Sequence, residues 1–197
     1  VVTAFDFYNT AEYPNVRPTL DLAFAQTKIL DSRITFTRAS TATYVGFDGL
    51  IKTAAVNEPR FDHDPTTGES LGLLVEEQRT NLMLNSEDFS GATTFRGSIT
   101  TNVIAAPDGA ITADLFTENT DTGTHTTQLG NVAFTTGVTY TVSIFLRPNG
   151  RDTNIRFRGT NPTTFAAEAF FNLTGTGSVA STVAGTASIQ ALPNGWY

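Results

Sequence analysis

Thr43-Tyr44-Val45-Gly46-Phe47-Asp48-Gly49-Leu50-Ile51 places two runs rich in β-branched and aromatic residues on either side of an Asp-Gly pair. Asp-Gly tolerates the positive φ angles of a tight turn, so the stretch predicts a β-hairpin. Working outward, Leu20, Leu22 and Phe24, and then Ile34 and Phe36 separated by Thr35, alternate with the period of two that a half-buried strand needs. Leu71-Gly72-Leu73-Leu74-Val75 adds a short apolar strand after the polar, turn-rich residues 57–70. Beyond Gly91 short strands recur over Ser98 to Ala105, Thr112 to Thr117, Thr124 to Leu129, Val138 to Arg147, Asn154 to Arg158, Phe165 to Asn172, Gly177 to Thr182 and Ala187 to Leu192. Pro107-Asp108-Gly109, Pro148-Asn149-Gly150 and similar turn signals separate them. The expectation is an all-β protein whose second half is a β-sandwich or jelly roll. Helical periodicity is confined to Glu76–Met83, where a Glu76 to Arg79 ion pair across one turn is expected.

Composition agrees with that fold class. About 35 threonines in 197 residues suit the solvent face of strands better than helices. Charged residues make up only 16%, below the usual quarter. The net charge of -7, with Lys28 and Lys52 as the lysines, lacks the basic footprint of a nucleic-acid binder and argues against anionic membrane surfaces. No apolar run is long enough for a membrane helix, so membrane insertion is not expected. With no Cys, disulfides, thiolate metal sites and Cys nucleophiles are excluded.

The organisation reads as two parts. Residues 1–87 comprise an extended arm, with Phe5, Phe7, Tyr8 and Tyr13 ahead of Pro14 and Pro18, and then a small β module. Residues 88–197 form the sandwich, the boundary falling in the polar stretch Asn85 to Gly91. A start at Val1-Val2 and an end at Gly195-Trp196-Tyr197, which reads as the opening of another strand, suggest a piece of a longer chain whose last strand is missing.

The residues give no positive support for catalysis. His63 and His125 lie in different parts, so a shared triad is not expected. In Asp62-His63-Asp64 neighbouring strand side chains point to opposite faces, which favours carboxylates capping a turn over a metal site. Glu76 and Glu77 diverge and make a poor acid/base pair. Sugar binding fits better, because a pyranose has an apolar face for an aromatic ring and a hydroxyl rim for donors and acceptors. Phe95, Tyr140, Trp196 and Tyr197 are the candidate platforms; Gln128, Arg147, Arg156, Arg158 and His125 are the candidate polar partners. Arg156 and Arg158 share a strand face by period two. Each aromatic taken alone is more often core than platform.

Several segments carry a resemblance. Pro18 to Phe24, Arg33 to Val45, Asn57 to Pro65 and Leu71 to Leu82 together resemble the N-terminal module of tailed-phage virion proteins: head-spike fibres, tail fibres and components of phage-derived gene transfer agents. Asn85 to Phe89, Gly137 to Ser143, Phe171 to Gly177 and Asn194 to Tyr197 resemble the carbohydrate-binding jelly roll that often follows that module. The resemblance implies a non-enzymatic virion structural protein, assembled in the host cytoplasm and exposed on the particle. Its N-terminal module would attach to other virion proteins of the capsid, vertex or tail, and its jelly roll would touch host surface polysaccharide. It implies a homo-oligomer, a trimer or, at a capsid vertex, a pentamer. No cofactor is required for such a role, although jelly rolls of this kind often hold a structural Ca²⁺, with Glu87 as the candidate ligand here. Two alternatives stay open: a capsid decoration or cement protein without sugar binding, and the accessory sugar-binding part of a secreted polysaccharide-degrading enzyme.

Overall fold

The computed structural model describes residues 20, 22–84, 86–129, 132–135, 137–151, 153–158 and 166–197. The aromatic arm expected over residues 1–18 lies outside them. The described chain is all-β apart from one turn of α-helix, α1 (Phe24–Thr27), and a 3₁₀ turn at Pro193–Gly195.

The Asp-Gly hairpin forms as its residues dictate. β1 (Ala42–Val45) and β2 (Ile51–Ala54) pair antiparallel with Val45 opposite Ile51. Gly49 takes φ 74°, and the Asp48 carboxylate accepts the Leu50 N–H at 3.2 Å. A second hairpin follows: β3 (Phe61–His63) and β4 (Ser70–Leu73). β3 lies within the polar residues 57–70, and its Asp62 and His63 make their contacts to the backbone of β1. A bulge falls between Asp62 and His63, which breaks the alternation and lets both adjacent side chains reach one residue of β1. Asp62 accepts the Val45 N–H at 2.7 Å, and the His63 ring meets the Val45 carbonyl at 3.0 Å. The carboxylates of this motif do cap backbone groups: Asp64 accepts the Thr66 and Thr67 N–H groups, both at 2.8 Å.

Two arginines tie these hairpins together. Arg38 donates to the carbonyls of Ser40, Glu58 and Ala55. Arg60, only 6% exposed, donates to the Thr43 carbonyl at 2.9 Å and pairs with Glu76 at 2.7 Å. Glu76–Met83 is not a helix, so the expected Glu76 to Arg79 pair does not form. Glu76 is used by Arg60, and Arg79 pairs with Glu77 at 2.7 Å. The expected strands at Leu20–Phe24 and Ile34–Phe36 are likewise replaced, by the lead into α1 and by an irregular segment. Alternation supplies a face to bury, but among the described residues no ladder forms on either segment.

In the second half, β5 (Thr93–Phe95) pairs with β8 (Thr126–Gln128), and β6 (Gly97–Ala105) with β7 (Ile111–Glu118). β9 (Thr153–Arg158), β10 (Ala166–Asn172) and β11 (Ser178–Val183) make a three-stranded sheet in the order β11-β10-β9. Gly109 closes the β6–β7 turn at φ 88°, with Asp108 accepting the Ala110 N–H. Asp114 serves as a strut: its two carboxylate oxygens accept the Phe89 and Asn102 N–H groups, both at 2.9 Å. Among the described residues all ladders are antiparallel and no sheet exceeds three strands. Val138–Arg147 and Ala187–Leu192 run without a ladder there. Leu146 does exchange two backbone hydrogen bonds with Tyr197, each 2.9 Å, the strand-like contact expected at Trp196-Tyr197.

Contacts also join the two halves. The Ile51 N–H donates to the Pro107 carbonyl at 3.1 Å, and within the second half the Trp196 indole N–H donates to the Ala105 carbonyl at 3.2 Å. The hairpin β1–β2, the β6–β7 turn and the 3₁₀ turn thereby meet at one place. Buried apolar side chains among the described residues are few: Ala54, Leu173 and Trp196.

Candidate functional site

The two-stranded β5–β8 ladder gathers two of the expected sugar-binding residues. Directly opposite residues of an antiparallel pair point to the same side. The register Thr93 with Gln128 and Phe95 with Thr126 therefore puts these four side chains on one face, which is the exposed one. Thr94 and Thr127 turn the other way and are half-buried. The alternation of the Thr-rich sequence produces this sorting.

Phe95 is 56% exposed, so its ring is open to a partner on this face. Arg96 adopts φ 56°, and this left-handed backbone turns its guanidinium back to lie 4.6 Å from the Phe95 ring centroid. Gly123 leaves room for it: a Cβ there would come within 2.6 Å of the guanidinium. The guanidinium covers one face of the ring in a cation–π contact and keeps N–H donors beside it. An aromatic plate, two threonine hydroxyls, an amide and a guanidinium rim match the two faces of a pyranose. Arg96 was not singled out by sequence reading; its place beside Phe95 is a visible signal, but the positive φ that folds it back is not.

The remaining expected residues lie elsewhere. Tyr140 packs edge-on against Phe134, with centroids 4.9 Å apart, and its hydroxyl accepts the Thr135 N–H at 2.9 Å. It is engaged within its own loop. Trp196 is 7% exposed and its indole N–H donates to Ala105 of the same half, so it ties the C-terminal turn to β6 and offers no open stacking face on the surface. Tyr197 donates its hydroxyl to the Gly175 carbonyl at 3.0 Å. Arg156 and Arg158 sit at alternate positions of β9, opposite Glu168 and Ala166; their side chains lie outside the described residues. His125 meets Glu118 at 3.4 Å, and the same carboxylate pairs with Arg151. Arg147 is exposed near Gly195.

Glu87 is exposed in a turn. Among the described residues no three His, Asp or Glu side chains cluster as a metal site would require. The neighbouring Asp88 is held below the usual carboxylate range by hydrogen bonds from the Ser90 side chain and backbone. Among the described residues no helix is long and apolar enough to cross a membrane. No protein family, curated protein or solved structure matches the chain.

Proposed function

We propose that this chain is a non-enzymatic virion structural protein of the head-spike or tail-fibre type, which contacts host surface glycan through the β5–β8 face. The observation that carries the glycan part is the exposed Phe95 ring with Arg96 at 4.6 Å and Thr93, Thr126 and Gln128 on the same face. The virion part rests on the resemblance of residues 18–90 to the N-terminal module of such proteins. Exposed apolar side chains on that module, Phe47, Leu71 and Val75 among them, supply surface for attachment to other virion proteins. The jelly-roll architecture, a trimer or pentamer and a structural Ca²⁺ belong to the same proposal.

The test combines a glycan array with particle adsorption. The full chain is expected to bind host polysaccharide. Phe95→Ala is expected to weaken that binding about tenfold or more, the scale of losing one stacked ring, while Tyr140→Phe leaves it unchanged. Particles carrying Phe95→Ala should adsorb more slowly. Normal adsorption together with easier breakage of particles lacking the protein would instead identify a decoration protein.

A further inference from the structure

Where the two halves meet, the β1–β2 turn, the bulged β3–β4 hairpin, Pro107 and residues 190–196 enclose a cleft of about 310 Å³. That is the lower end of the ~300–1,000 Å³ typical of small-ligand sites. Phe145 and Trp196 provide aromatic wall, and Asp62, Asp64, Gln190 and Asn194 provide polar groups. One oxygen of Asp62 is taken by the Val45 N–H. Its other oxygen and the side-chain amides of Gln190 and Asn194 have no hydrogen-bond partner among the described residues. His63 also lines the cleft, 5% exposed, with Nδ1 hydrogen-bonded to the Val45 carbonyl and Nε2 sealed from solvent without a partner among the described residues.

We propose that this cleft is a second carbohydrate site, taking one uncharged pyranose. The sugar's apolar face lies against Phe145 and the edge of Trp196, and its hydroxyls meet Asp62, Gln190 and Asn194. Carboxylates and amides suit this task because adjacent hydroxyls can donate and accept in pairs. No Lys or Arg lines the cleft among the described residues. The Asp64 carboxyl is held below its usual range by hydrogen bonds from the backbone N–H groups of Thr67 and Thr66, so it stays ionised. An anionic sugar would meet two carboxylates and no counter-charge, whereas a neutral one meets no such barrier. The site has the sugar chemistry of the proposed function and none of its residues.

Trp196 is the chain's single tryptophan and lies in the cleft, so its fluorescence reports occupancy there and not on the β5–β8 face. The full 197-residue chain is titrated with glucose, galactose, mannose and N-acetylglucosamine, with glucuronate as the anionic control. At least one neutral sugar is expected to change Trp196 emission saturably, with a roughly millimolar Kd. Glucuronate should give no saturable change over the same range. Gln190→Ala is expected to weaken the response about fivefold to tenfold, the loss of one or two hydrogen bonds, with an unchanged circular dichroism spectrum. Phe95→Ala should leave it intact. If no neutral sugar gives a saturable change, if glucuronate binds equally well, or if folded Gln190→Ala binds like the parent, the proposal is overturned. Loss of array binding in Phe95→Ala with the Trp196 titration preserved separates this site from the outer face.

Discussion

Arg60 shows how much of this chain's organisation rests on charged side chains working on backbone. Its guanidinium is almost fully buried, while its partner Glu76 is 58% exposed on the side chain. The two ends of this ion pair therefore differ in what their loss costs. Arg60→Ala removes the donor to Thr43 in β1 and empties the space beneath the hairpins, an expected destabilisation of about 2–3 kcal/mol. Glu76→Gln keeps a hydrogen-bonding group beside Arg60 but leaves the buried guanidinium without its counter-charge, an expected cost of about 1–2 kcal/mol because the Glu76 end is solvated. Urea denaturation of the two variants against the parent measures the difference, and equal small effects would remove Arg60 from its structural role. None of this was legible beforehand. The residues around Arg60 read as a polar turn, because nothing in a linear pattern marks an arginine whose acceptor lies 17 positions earlier.

The strands divide into those that local chemistry specifies and those that need a partner. The β1–β2 and β6–β7 hairpins were readable because Asp-Gly turns bring the two strands together within a few residues. β5 and β8 are three residues each and pair across some 30 positions; the strand expected over Thr124 to Leu129 contains β8, but nothing local names β5 as its partner. Within β6, Gly97 opens the strand where the ring of Phe116 crosses it. A Cβ at Gly97 would meet Phe116 at 2.5 Å and the Thr117 carbonyl at 2.8 Å. Gly97→Ala must displace a ring and a strand backbone, so a destabilisation of about 1–3 kcal/mol is expected. Thermal unfolding of that variant checks it. The β-strand propensity gained by replacing Gly is smaller than the strain, so an unchanged or raised Tm would contradict this packing.

Taken whole, the described chain hides few of its apolar residues: Ala54, Leu173 and Trp196 are buried, while Phe47, Val75 and Leu84 are each more than two-thirds open. A net charge of -7 opposes indiscriminate clumping and leaves defined interfaces as the way to cover such groups. Under the proposed role the chain should therefore sediment at a multiple of its own mass at micromolar concentration. Phe47→Ser or Val75→Ser should shift it toward monomer without altering its circular dichroism. A parent that stays monomeric would separate the fold from the fibre reading.

The sequence by itself determined the all-β class, the Asp-Gly hairpin, the capping role of Asp62 and Asp64, and the sharing of one strand face by residues two apart. Each is a local property, set by steric limits on φ and ψ and by the period of two. Only the tertiary structure decided that Phe95 and Gln128 share an open face while Trp196 is buried and bonded to the end of β6, that Arg60 is buried, and that Asp62, Gln190 and Trp196 line one cleft. These depend on which backbone lies next to which across long stretches of chain, and the free energy of such pairings is spread over residues that no local pattern connects.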